Sequence, residues 1–467
     1  SALSLLALVA NAQDQALGDF FHSRPKSVAP SPVPSPSSSA PAPVTAAPTS
    51  QNTCAQIGPQ RIAVILANYD GSPSDAATPN ADYVKELMLG TSHDFSVSNY
   101  YKTVSGGRTW FESVKILGPY HAPKPFVHDQ SKVSYVGESL DKWEGSLLTL
   151  AQNDVDFTKI DRVVFITPEA IDPQGQPVEM AAGLAAQGTC DLMYSGPNGS
   201  RGLAHAWVRA DIHYQQAADP HTVSYHPETL SPAVLQSQLR QRMMLDMAPI
   251  AHELGHTFGL GHANRVNRPE PGQTPTQFQN QEILPAADQT LYEMTYGDPF
   301  SEMSAGDIQW LNVAHLNHLG WLSPSEITEV RDDGTFRIYP LEGGSSITTA
   351  LKGLKIPRAI QSKTEATKSF LWVEYRQGNS SYDTDLSGIG HVTDGALVHY
   401  TNPNQPGPNS MWPEETILLN FKIGPVSPYE KDYTLKGKWK DEHSQVQLEV
   451  LHVTPEYLDI HVSFVKP

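Results

Sequence analysis

The order of apolar and polar positions divides the chain into two textures. Arg61 to Asn68, RIAVILAN, is a short β-branched run without alternation, as expected of a strand buried on both faces, and Asp161 to Thr167, DRVVFIT, reads the same way. Two helical patterns lie between them. Asn80 can cap a helix that continues through Leu89, and Glu138 to Gln152 places Leu140, Trp143, Leu147, Leu148 and Ala151 at helical spacing. Strands alternating with helices predict an α/β layer up to about residue 262. Beyond Ser323 the runs become short and alternating, as in Thr335 to Tyr339, Phe370 to Tyr375, Ala396 to Tyr400, Gln445 to Val453 and Leu458 to Val465, with Gly, Pro, Asn and Asp between them. This texture predicts an all-β, sandwich-like domain over 324–467, and the chain as a whole falls in the α+β class.

The N-terminal segments carry a different signal. Ser1 to Ala12, SALSLLALVANA, is apolar and ends in the small-x-small pattern of a signal-peptidase site, so residues 1–12 are expected to be the remnant of an export signal. Residues 13–53 turn to Pro, Ser and Ala, with too few apolar side chains for a core, and are expected to form an extended spacer. No later run reaches the ~20 apolar residues of a membrane helix, so no membrane span is expected and the protein is read as secreted. With 32 Lys+Arg against 50 Asp+Glu the formal charge is −18, which makes a phosphate backbone a poor partner and excludes nucleic-acid binding as an expected role. Nothing in the pattern speaks to oligomeric state, and a monomer is assumed.

The chemistry concentrates in His252-Glu253-Leu254-Gly255-His256-Thr257-Phe258-Gly259-Leu260-Gly261-His262. Two His at i and i+4 project from one helix face, so both imidazoles can reach one tetrahedral cation. His262 cannot share that face if the helix continues. Gly259, without a Cβ, can take the left-handed conformation that ends the helix and turns the chain back. Three neutral nitrogen ligands leave a fourth position for water, the arrangement of a catalytic zinc site. Zinc lowers the pKa of its water from about 15.7 toward 7, and Glu253 is placed to accept the proton and pass it to a leaving amine. The flanks read as a helix start, with Asp246 as N-cap and Pro249 in the first turn, while Ile250, Leu254 and Phe258 form a core-facing stripe.

HELGHTFGLGH is the long zinc signature of the metzincin metallopeptidases. Together with Tyr296-Gly297-Asp298-Pro299-Phe300-Ser301-Glu302-Met303 and Leu319-Gly320-Trp321-Leu322, it makes the chain resemble secreted peptidases of the gametolysin type from about Arg61 onward. Weaker likenesses are SVSNYY at 96–101, Ser105-Gly106-Gly107 and WVEYR at 372–376. The resemblance implies a zinc peptidase domain over 54–323 that cleaves extended polypeptides of extracellular or cell-wall proteins. It also implies that Met303 forms the Met-turn, an apolar floor beneath the three His, with Met294 as the competing candidate. No Tyr follows Met303 closely, so the additional Tyr ligand of some metzincin branches is not expected. His205, in the apolar stretch Ala204-His205-Ala206-Trp207-Val208, reads as a satisfied strand histidine, with the substrate-aligning edge strand as the sharper alternative. His315 and His318 read as residues of a packing helix rather than as ligands.

Two cysteines in an exported chain most simply form one disulfide, Cys54 to Cys190. The alternative is a Cys54 thiolate that caps the zinc of a latent enzyme, but Thr53-Cys54-Ala55-Gln56 stands where the family-type switch would read Pro-Arg-Cys-Gly. Against the endopeptidase reading stands a non-catalytic glycan- or wall-binding protein with a vestigial zinc site; the intact Glu253 argues against it. A third reading, a small amide as substrate, requires a lid over the cleft that no segment between 263 and 290 announces.

Overall fold

The computed structural model describes residues 54–69, 80–90, 95–122, 140–168, 182–210, 232–266, 293–305, 308–342, 350–358, 369–380, 382, 392–402, 415–421, 433–441 and 444–464. The expected export signal and spacer lie outside these residues. The described residues form a mixed α/β structure, and their strands fall in three sheets.

The first sheet contains β1 (Gly58–Tyr69), β2 (Thr109–Ala122), β3 (Arg162–Pro168), β4 (Gly183–Ala185), β5 (Leu192–Gly196) and β6 (Gly199–Ala210), in the order β2-β1-β3-β6-β4 with β5 paired to β6. Strands β2, β1, β3 and β6 run parallel, and β4 is antiparallel to β6. Parallel strands need crossovers, and helices α1 (Ala81–Leu89), α2 (Val97–Val104), α3 (Leu140–Ala151) and α4 (Pro232–Phe258) cover the two faces. Ile62, Val64 and Leu66 of β1 pack with α1, α2 and α4, whereas Ala63 and Ile65 pack with Trp143, Leu147 and Leu148 of α3. This two-sided burial is why RIAVILAN has no polar alternation. Helix α1 starts where expected: the Asn80 side chain accepts from the N–H groups of Asp82 and Tyr83 at 3.0 and 3.1 Å.

The remaining α-helix and strands among the described residues are β7 (Ala263–Val266), β8 (Glu293–Met294), α5 (Val313–His318), β9 (Ile327–Glu329), β10 (Gly334–Ile338), β11 (Gly353–Pro357), β12 (Phe370–Glu374), β13 (Ala396–Thr401), β14 (Thr416–Leu418), β15 (Thr434–Leu435), β16 (Lys438–Lys440), β17 (Val446–Val453) and β18 (Leu458–Phe464). An eight-stranded sheet runs β8-β7-β14-β13-β12-β11-β9, with β15 on β13, and a four-stranded antiparallel sheet runs β10-β18-β17-β16. The two share a core in which Ile338, Leu448, Ile460 and Val462 meet Ile356, Leu371, Val373 and Val398. The larger sheet reaches back across residue 323, because β7 leaves His262 directly and pairs in parallel with β14, Ala263 opposite Thr416.

One expected helix start is corrected. Helix α4 begins at Pro232, so Asp246 is not an N-cap and Pro249 lies in the helix interior. Packing overrides the local signal: Met243, Met244 and Met247 continue the buried face upstream of Ile250, which outweighs the single backbone bond that Pro249 cannot donate. Asp246 instead accepts a hydrogen bond from the Tyr83 hydroxyl of α1.

Candidate metal centre

His252 and His256 sit in the last two turns of α4. Gly259 follows at φ 106°, its N–H bonded to the His256 carbonyl at 2.7 Å, and the chain turns so that His262 returns to the other two. The ring centroids of His252–His256 and His256–His262 are 4.8 Å apart, and those of His252–His262 are 5.7 Å apart. One ligand atom from each of the three lies within 4.8 Å of the others, so the cluster can hold a metal ion.

The surroundings fit a cation bound by neutral imidazoles. Nδ1 of His252 faces the Glu302 carbonyl at 2.9 Å, and Nδ1 of His256 faces the Leu260 carbonyl at 2.7 Å. A carbonyl only accepts, so Nδ1 carries the proton in both rings and the Nε2 lone pair is left for a ligand bond. Nδ1 of His262 faces the buried Glu415 carboxylate at 3.8 Å. Burial pushes His252 down to about 4 and His256 to about 3, and holds His262 well below its ordinary value.

Glu253 lies on the same turn of α4 and is 7% exposed; burial pushes its carboxyl up to about 8. Its place against the sheet depends on Gly183 of β4, where an added Cβ would overlap the Glu253 carboxylate. Among the described residues β4 pairs only with β6, so β4 is the sheet edge at the metal cluster. The alternative placed on His205 is thereby corrected. His205 is in β6, an interior strand, and shares the parity of Leu203 and Trp207, which pack against α3 on the opposite face. The blander reading is the one found: its Nδ1 contacts the Glu144 carboxylate and its Nε2 lies 3.3 Å from Asp191.

Met303 is fully buried beneath α4. A Cβ at Gly255 would strike its sulfur, so the glycine in the HELGH segment lets the methionine floor close up to the helix. The Met303 carbonyl accepts from the Ala263 N–H at 2.7 Å, which ties the floor to the start of β7. Met294 is in β8, opposite Arg265. His315 is buried in α5 and near enough to His262 to lower its pKa, but neither His315 nor His318 joins the three-histidine cluster.

Three residues at the site escaped the sequence reading. The Tyr296 ring lies 4.0 Å from that of His262 and 5.8 Å from that of His252, centroid to centroid. Its φ of 55° is strained for a residue with a bulky side chain. The Asn264 side chain holds that conformation by accepting from the Tyr296 N–H at 3.0 Å, and Ser304 Oγ and the Ala305 N–H donate to the Tyr296 carbonyl. Asn264 also donates to Glu415 at 3.2 Å, so one buried amide links the tyrosine to the carboxylate behind His262. Burial raises the Tyr296 phenol, as do the nearby Glu253 and Glu415 carboxylates, so it remains a donor. The resemblance points to a tyrosine only after Met303, whereas Tyr296 precedes it by seven positions, in the YGDPF stretch.

The C-terminal end of α4 is held from outside the helix. Arg162 is buried, stacks over the Phe258 ring at 3.8 Å and donates to the Thr257 carbonyl at 2.7 Å, placing a cation where the helix dipole favours one. Gln56 donates to the Phe258 carbonyl at 2.8 Å, and the Gly188 N–H to that of His256 at 2.9 Å. Cys54 and Cys190 are bonded to each other, which joins these two supports and rules out a free Cys54 thiolate on the metal. In the chain-entropy account, a closed loop of 136 residues stabilises by roughly 4–5 kcal/mol. The chain matches no protein-family model and no curated protein sequence.

Proposed function

We propose that this chain is a secreted zinc endopeptidase of the metzincin type. The observation that supports it most is the convergence of three buried imidazoles, two of them with Nδ1 held by backbone carbonyls, with the Glu253 carboxyl one helical position from the first and, among the described residues, an unshared sheet edge alongside. His252, His256 and His262 would hold the ion, and zinc bound there would supply Lewis-acid chemistry.

The chain's own residues then divide the work. An extended polypeptide pairs with β4 as an added strand, which sets the scissile bond over the histidines. Glu253, a stronger base than an ordinary carboxylate because it is buried, takes the proton from the attacking water and delivers it to the departing amine. Tyr296, held beside His262 with its phenol protonated, donates to the oxyanion that develops on the scissile carbonyl. Met303 keeps the floor dry and rigid. No helix of the described residues is long and apolar enough to cross a membrane.

The test is to incubate the zinc-loaded protein with a denatured proteome and to map new polypeptide termini. New internal termini, absent when zinc is chelated, are expected. Intact substrate proteins under zinc-replete conditions would contradict the proposal and favour a binding protein.

A further inference from the structure

A second group of side chains that could ligate a metal lies on the other face of the first sheet. Asp141 and Glu144 are one turn apart near the start of α3, and His205 projects from β6 into the layer between Leu203 and Trp207. One ligand atom from each of Asp141, Glu144 and His205 lies within 4.8 Å of the others. Glu144 is fully buried; its Oε2 contacts His205, but among the described residues its Oε1 has no hydrogen-bond partner. A buried carboxylate oxygen left in that state is costly, and native structures avoid it with a partner or an ion. Asp191 adds a further carboxylate 3.3 Å from His205 Nε2. Three carboxylates around one imidazole leave the corner net negative even when the imidazole is protonated.

We propose that Asp141, Glu144 and His205 bind a divalent transition-metal cation that is structural and separate from the three-histidine centre. One imidazole with carboxylate oxygens suits zinc or manganese better than a hard, all-oxygen cation site would. Ligand atoms about 2.0–2.2 Å from one ion lie at most about 4.4 Å apart, close to the 4.8 Å within which the three already lie. The cation replaces the proton on the ligating ring nitrogen, which is released to solvent, and Glu144 Oε1 gains its partner. Bound there, it pins α3 to β6 beside Asp191, the residue that follows the disulfide.

Equilibrium dialysis of the full chain against zinc, with metal measured by atomic absorption, tests this apart from the proposed activity. Two ions per wild-type chain are expected, one in Asp141→Asn and one in His262→Ala. Asp141 is exposed, so that variant should fold; Glu144→Gln gives a second reading from the buried side. In His262→Ala, zinc should also remove one proton from the His205 ring, seen in its nitrogen chemical shifts. A wild-type chain with one ion that His262→Ala loses, and a His205 ring unmoved by zinc, would overturn the second site and leave the peptidase reading untouched. One ion that Asp141→Asn loses and His262→Ala keeps would do the reverse.

Discussion

On one face of the six-stranded sheet, the imidazoles of His252 and His256 turn Nδ1 toward backbone carbonyls; on the other, His205 stands between the carboxylates of Glu144 and Asp191. All are buried, yet their charge states diverge. Burial without a counter-charge keeps the first group neutral and ready to donate lone pairs. Burial also lowers His205, but the neighbouring carboxylates outweigh it and push the ring up to about 10. A buried histidine is therefore read from what its second nitrogen touches: a carbonyl fixes a tautomer, whereas carboxylates invite a proton or a metal in its place.

The variant expected to have the largest effect is His262→Ala, which should abolish peptide-bond hydrolysis and remove the ion from the three-histidine face while leaving the His205 face intact. Undiminished hydrolysis would show that another residue is the third ligand. Tyr296→Phe should lower kcat by about 10²-fold with KM and zinc content nearly unchanged, since it removes one donor to the developing oxyanion. A matched fall in zinc content would instead make the tyrosine part of the metal's support. Glu415→Gln weakens the partner behind His262, and zinc affinity measured against a competing chelator should fall roughly 10–100-fold.

The smallest expected effect lies outside both clusters. Burial raises the Asp161 carboxyl, but hydrogen bonds from Arg61 and the charge of Arg201 outweigh it, so its pKa is lowered on folding. The folded value lies below the unfolded value of about 3.9, so the unfolded chain binds more protons in acid. The stabilisation is complete above that value and is lost as pH falls through the folded value. Asp161→Asn should cost about 1 kcal/mol at pH 7, a modest figure because both arginines are partly exposed, and the difference should disappear at low pH. A difference that persists at pH 2 in urea unfolding would mean the contribution is not electrostatic.

What could be read from the sequence was local. The β1 and β3 runs, the Asn80 cap, the HELGHTFGLGH turn at Gly259 and the pairing of the two cysteines each depend on residues whose pattern survives in the linear order. The remainder depends on register between distant strands. Glu415 reaches His262 only because β14 pairs with β7, and Gly183 admits Glu253 only because β4 lies at the edge beyond β6. His205 could not be assigned to an edge or an interior strand from Ala-His-Ala-Trp-Val, since both present the same apolar run. The upstream half of α4 was missed for a different reason: Asp246 and Pro249 are strong start signals, and only tertiary burial of Met247 and its neighbours carries the helix past them.

In the proposed function Glu253 moves protons beside a metal held by three histidines, and Glu253→Gln separates that role from metal binding. Metal content of that variant should equal wild type, because no ligand is altered, while hydrolysis of a denatured polypeptide falls by roughly 10²–10⁴-fold. Wild-type hydrolysis in a metal-replete Glu253→Gln protein would show that Glu253 is not the proton carrier.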